Sequence, residues 1–350
     1  MEKNTPGGIA MRTIVPDYYE QFRCLAGACP HSCCEKWEVV IDEDHVCQYR
    51  QAEGPLGDKL RAALQCDTDG DFCFPLNGGR CPFLDGENLC EIHRQWGEEA
   101  TSVTCQEHPR FTEDYGPFRE VSLSASCPAA NALLLGSEEP LTFRETETEA
   151  LPEEGDAWLE YLLPLRARML ALLADRSRPL KRRMKAFLCL AGEAQLLLDT
   201  EQVEELPVLT ESWQECSEQI EAGESLFLAG LRVLAELEPL EAEWRELLKA
   251  AETAALQPQP EPLLERVGVY FAFRYLLKTV NDGDLLSRAQ LCVFAVLMIE
   301  RLAAVCGLGE ALRRFSAEVE HSDENLEALL AAFWQREELS LGAFRQTLGE

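Results

Sequence analysis

Four cysteines crowd the eleven residues CLAGACPHSCC: Cys24, Cys29, Cys33 and Cys34, the last two adjacent. More thiols follow in RCPFLDGENLC (Cys81, Cys90), in TCQEHPR (Cys105) and in SCP (Cys127). Thiols at this density serve either as disulfide staples or as metal ligands, and the compartment decides between them. The opening MEKNTPGGIAMRTIVPDYYEQF has no apolar run of the roughly 7–15 residues a secretory signal needs, so the expected location is cytoplasmic. Thiols are kept reduced there, which points to metal binding or redox chemistry.

Eleven of the fifteen cysteines fall at or before residue 127. The late four, Cys189, Cys216, Cys292 and Cys306, read as small buried hydrophobes. Within the early group, spacing restrains the chemistry. Consecutive side chains diverge, so Cys33 and Cys34 do not easily chelate one ion in the manner of a zinc finger. One thiolate to each of two centres, or one to a cluster and one into the core, suits them better. A C-x3-C-x2-C triplet is ruled out, because Lys36 stands where its third cysteine would be. His93 and His108 each follow a candidate cysteine by three residues and leave an imidazole ligand open.

The elements that must position these thiols change character along the chain. Residues 12–136 are punctuated by Cys, Gly and Pro. WEVVID (37–42) is β-branched and leads to Asp42 as a helix cap, DEDHVCQYRQA and PLGDKLRAALQ have helical patterns, and FCFPLNGGRCPF suggests a hairpin turned at NGG. Residues 137–156, SEEPLTFRETETEALPEEGD, read as an acidic connector. From Ala157 onward, apolar residues recur at three and four, giving six to nine helices. LCVFAVLMI (291–299) is too short to span a bilayer and reads as a core helix. The expected fold is therefore mainly α: a flexible tail (1–11), a small cysteine-rich metal-binding domain with minor β (12–136), the connector (137–156) and a multi-helix domain (157–350).

A formal charge of -30, from 62 acidic against 32 basic residues, argues against nucleic acid as a partner and favours encounter with a lysine-rich surface. Membrane insertion is not expected. No strand, glycine-rich turn and helix of the dinucleotide-binding kind is present; GLGEALRR (307–314) follows a helix and reads as its cap and turn. Four further residues are weak candidates for a substrate pocket, each with a plainer role: Trp37 as a core anchor, Asp42 as a helix cap, Arg110 and Glu120 as ion-pair partners.

The ordered blocks MRTIVPDYYEQFRCLAGACPHSCCEKWEVVID, RCPFLDGENLCEIHRQWGEEATSVTCQEHPR and LSASCP resemble the flagellin lysine-N-methylase family, which carries a cysteine-cluster domain of the CxxCxxCC type. The resemblance covers residues 11–136 and, more weakly, VYFAFRYLLKTVNDGDLLSRAQL. It implies a protein-lysine N-methyltransferase that moves methyl groups from S-adenosylmethionine to flagellin. It also implies an iron-sulfur cluster, of the 4Fe-4S kind, on cysteines among Cys24, Cys29, Cys33, Cys34, Cys81, Cys90, Cys105 and Cys127; Cys47, Cys66 and Cys73 lie outside the pattern. Zinc is the alternative metal, and a non-enzymatic metal-binding or redox module with a helical docking domain is the alternative function.

Overall fold

The structure, a computed structural model, describes residues 11–36, 39–67, 70–148, 152–214 and 226–349. The expected tail before Met11, Trp37, Cys216 and residues 149–151 of the expected connector lie outside the described residues. The fold is mainly helical, with fifteen α-helices among the described residues. Seven short strands accompany them: β1 (Met11–Pro16), β2 (Val40–Ile41), β3 (Gln65–Cys66), β4 (Phe72–Cys73), β5 (Arg110–Asp114), β6 (Phe118–Leu123) and β7 (Phe143–Thr148). They form two sheets, ordered β5-β6-β1-β7 and β2-β4-β3.

The chain divides into two compact units. The larger comprises Met1–Glu20, Thr112–Ser122 and Leu133–Glu350; the smaller comprises Gln21–Phe111 and Leu123–Ala132. These boundaries differ from the expected ones, and strand pairing is the reason. β1 runs parallel to β6 and antiparallel to β7, with Met11 opposite Thr148 and Pro16 opposite Phe143. Residues 143–148 of the expected connector are thus a sheet strand, and β1 joins the helices rather than the cysteines. FRETET is too polar to announce a strand by itself; its ladder is completed by β1, and Phe143 stacks on Phe273 at 4.2 Å.

In the larger unit, the helix Leu285–Cys306 is the core element. It is the one helix among the described residues long and apolar enough to cross a membrane, but 72% of its apolar window is buried inside the structure. Asp284 caps it by accepting from the Ser287 N–H (3.0 Å). Gly307, at φ 82°, ends it and starts the next helix, Leu308–Glu320, as glycine permits at positive φ. Ten α-helices follow residue 157 among the described residues, one beyond the expected range. The extra break falls where Pro239 interrupts the long apolar stripe, separating Leu226–Glu236 from Trp244–Thr253. There Glu318 accepts the N–H groups of Leu240 and Glu241 at 2.8 and 2.7 Å. Buried charges are paired, as the low-dielectric interior requires: Arg183 with Glu265 (2.5 Å), Arg274 with Glu320 (2.9 Å) and Arg313 with Glu241 (2.9 Å).

The smaller unit packs Ile41, Val46, Tyr49, Leu56, Leu60, Phe74, Phe83, Ile92 and Ala100 into its own core. Its NGG turn forms at the expected place: Gly78 and Gly79 take φ of 58° and 79°, and Asn77 and Arg80 exchange backbone hydrogen bonds of 2.8 and 3.2 Å. The flanking strands are not a hairpin. β4 pairs with β2 and β3 instead, leaving the turn with a single bridge between Asn77 and Arg80.

Candidate functional site

Four loop ends in the smaller unit bring Cys34, Cys81, Cys90 and Cys105 to one small cavity. The backbone explains each placement. The Cys81 N–H donates to the Cys34 carbonyl (2.8 Å), tying the first cysteine block to the residue after the NGG turn. Cys81 and Cys90 are joined by the loop PFLDGENL. Asp85 Oδ1 closes it by accepting the N–H groups of Glu87 (2.8 Å) and Leu89 (3.0 Å), while Leu84 bridges back to Cys90. Cys90 is the cap residue of the helix Glu91–Trp96. Cys105 lies in the first turn of Val103–Glu107, held by its N–H to the Ser102 hydroxyl (3.4 Å).

The cavity walls are apolar: Val39, Ile41, Tyr49, Phe74, Leu76, Phe83 and Ile92. Tyr49 is fixed by its hydroxyl donating to the Ala100 carbonyl (2.8 Å) and by its ring stacking on Phe74 (5.7 Å). Burial pushes the thiol of Cys81 up to about 12 and that of Cys90 upward, and the other thiols of the set push in the same direction. Cys105 presents surface to solvent, yet packing around its sulfur still raises it to about 11. Cys34 is the exception. The neighbouring Cys33 thiol donates to it, holding Cys34 down at about 7 and driving Cys33 up.

No lysine, arginine or histidine lines this cavity among the described residues. The sulfurs are nonetheless supplied with donors suited to thiolates: the Phe83 N–H toward Cys81, the His93 and Ile92 N–H groups toward Cys90, and the Ser102 hydroxyl toward Cys105. Four thiols in an apolar shell with hydrogen-bond donors aimed at sulfur fit a thiolate-bound metal or cluster, whose positive charge would offset their mutual repulsion. As placed, no three Cys, His, Asp or Glu side chains among the described residues close on a single point as ligands of one ion.

The other four cysteines of the expected ligand set are not part of this cavity lining. Cys24 is exposed, and Cys29, Cys33 and Cys127 are half-buried. They neighbour one another: Cys29 is raised by burial and by Cys24, and Cys127 by burial and by Cys29 and Cys24. Adjacent Cys33 and Cys34 thus fall on different sides of the division, and Cys33 feels both Cys105 and Cys24. His93 is exposed, and His108, half-buried, is held down to about 4 by burial and by Arg110; neither lines the cavity.

Three pocket candidates have definite structural partners. Burial works against ionisation of Asp42, but N–H donors from Val103 (2.9 Å) and His45 (3.1 Å), with the His45 ring at 2.8 Å, hold it at about 2. It caps the helix Glu43–Gln51 and tethers the turn that carries Cys105. Arg110 lies over the Phe22 ring at 5.6 Å. Glu120, in the larger unit, is buried and receives both guanidinium nitrogens of Arg166 at 2.7 and 2.5 Å. What the residue pattern did not disclose are the aromatic walls, Tyr49 and Phe74; the apolar spacing of Val46 and Tyr49 on one helix was the available signal.

A mainly helical protein with a separate thiol-lined unit is the class these features define. The family model described as the FliB lysine N-methylase C-terminal domain matches residues 166–344. The chain therefore belongs to the FliB lysine N-methylase family. A flagellar biosynthetic protein FliU of Salmonella muenchen is 26% identical over 142 residues, covering 38% of this chain and 82% of that protein. Lysine-N-methylases of Salmonella typhimurium and Salmonella choleraesuis are 26% and 28% identical, each over 37% of this chain. The match spans about a third (34%) of the length of those two methylases. No solved structure matches the chain significantly.

Proposed function

We propose that this chain is a protein-lysine N-methyltransferase that transfers methyl groups from S-adenosylmethionine to surface lysines of flagellin and depends on an iron-sulfur cluster. The observation that carries the methylation reading is the match of residues 166–344 to the FliB domain, supported by relatives named lysine-N-methylase. The thiol cavity supports the cluster: Cys34, Cys81, Cys90 and Cys105 are the residues that would hold it. Bound there, a cluster would supply redox or Lewis-acid chemistry at a site with no ionic side chain in its lining among the described residues. The chain's own part is to keep the sulfurs oriented by N–H donors and to exclude water with Tyr49, Phe74 and Phe83. The lysine ammonium must lose its proton before it accepts a methyl group, which desolvation favours.

The test is to incubate anaerobically purified protein with S-adenosylmethionine and flagellin and to weigh the flagellin. Mass added in single-methyl steps on lysines supports the reading. Absence of incorporation with iron, sulfide and donor all present would favour the non-enzymatic metal-binding module.

A further inference from the structure

The helical unit contains a second cavity, of about 620 Å³, with no cysteine in its lining among the described residues. Asp199, Glu201, Asp282 and Asp284 line it together with Trp158 and Trp334, and no basic residue lines it among the described residues. Asp282 is neutralised by Arg288, whose guanidinium nitrogens reach both its oxygens at 2.7 Å, so the surplus charge rests on Asp199, Glu201 and Asp284. The framework is fixed. Gln195 accepts the N–H groups of Leu285 (2.8 Å) and Leu286 (2.9 Å) and donates to Asp199 (2.8 Å) and the Gly283 carbonyl (3.0 Å). Trp158 packs against Gly283, where a Cβ would sit 3.5 Å from its ring. The indole N–H of Trp334 reaches Asp284 (3.4 Å), while the residue remains 55% exposed.

The size and walls select the ligand. The volume is that of a side chain or small molecule rather than an ion. No three of its carboxylates group as ligands of a metal among the described residues. Indole rings beside unneutralised carboxylates attract soft organic cations, alkylammonium and N-methylated ammonium groups above all. All the lining residues except Trp158 fall inside the span matched by the FliB domain.

We infer that this groove binds the ammonium group of a protein lysine side chain, in its unmodified and methylated forms. The assignment rests on the lysine-methylation reading for the identity of the cation and on the cavity for its place. Trp334 and Glu201 touch the ammonium, and Trp158 completes the aromatic part of the lining.

The test uses the full chain labelled with 5-fluorotryptophan, with the Trp158 and Trp334 resonances assigned from Trp158→Phe and Trp334→Phe. The probes are three short peptides, identical except for lysine, trimethyllysine or neutral norleucine at one position. The lysine and trimethyllysine peptides are expected to shift the Trp158 and Trp334 resonances, and the norleucine peptide to leave them in place. Trp334→Leu should weaken binding by roughly 2–30-fold, the range of one cation–π contact, and Glu201→Gln by up to about 5-fold, the range of one exposed ion pair. Equal binding of norleucine, shifts confined to other tryptophans, or unaltered affinity in both variants would overturn the assignment. The two readings can fail separately. Ammonium binding without any methyl transfer would remove the methylase reading and keep the groove. Transfer with an unchanged KM in Glu201→Gln and Trp334→Leu would do the reverse.

Discussion

Replacing Asp42 by Ala removes three contacts at once: the cap on Glu43–Gln51, the tie to Val103 and the partner of the His45 ring. Loss of a helix cap costs about 1 kcal/mol. Loss of a hydrogen bond between a charged carboxylate and a backbone N–H adds roughly 1.5 kcal/mol. The segment should open more readily by about 2–3 kcal/mol, or roughly 30–150-fold in amide exchange. Hydrogen exchange resolved by mass spectrometry reads this directly, and protection should fall in both 43–51 and 103–107. Asp42→Asn retains a good cap and should lose about half as much. The pH dependence has a definite sign. The folded-state pKa of Asp42 is depressed, so its contribution is complete above the unfolded value and is lost as pH falls toward about 2. Burial opposes protonation of His45, but its bonds to Asp42 prevail and raise it; its contribution is complete below the unfolded value and fades as pH rises through the folded one. The lock is tightest in the mildly acidic range between. Unchanged protection of 103–107 in Asp42→Ala would refute the reasoning, because it would mean that the turn carrying Cys105 does not depend on this carboxylate.

Glu120→Gln or Arg166→Ala strands half of a buried pair and should destabilise the larger unit by about 3–5 kcal/mol in denaturant unfolding. The double replacement Glu120→Leu with Arg166→Met should recover most of it, and failure to recover would mean that the pair supplies more than charge balance. Gly230→Ala would place a Cβ 2.7 Å from Met298 Sδ and 2.9 Å from Phe294 Cε2, where Leu226–Glu236 meets the core helix. Overpacking of this kind costs about 1–3 kcal/mol, and an unshifted melting midpoint would show that the core yields there.

Elements whose causes are local were legible before the structure. The NGG turn, the Asp42 cap and the buried 291–299 helix follow from backbone freedom, side-chain reach and apolar runs. The plainer reading of Glu120 as an ion-pair partner followed from its type alone. Contacts between distant segments were not legible. β1 and β7 meet across more than a hundred residues, and FRETET carries no apolar alternation to announce it. Eight candidate thiols could be counted, but which four share a cavity depends on where the NGG turn, the Asp85 loop and the Ser102 cap end. Trp158 and Trp334 were invisible as a pair for the same reason: one precedes the helix Leu159–Ala174 and the other lies on Asp323–Gln335, and only the packing of the larger unit brings them together.

The assignment of Cys34, Cys81, Cys90 and Cys105 as ligands of one iron-sulfur cluster is tested most directly by counting iron and acid-labile sulfide per chain after anaerobic purification. Cys81→Ser, Cys90→Ser and Cys105→Ser should each lose both, while Cys189→Ser and Cys292→Ser retain them. Full iron and sulfide in the first three variants, or zinc with no sulfide in the unaltered protein, would contradict it.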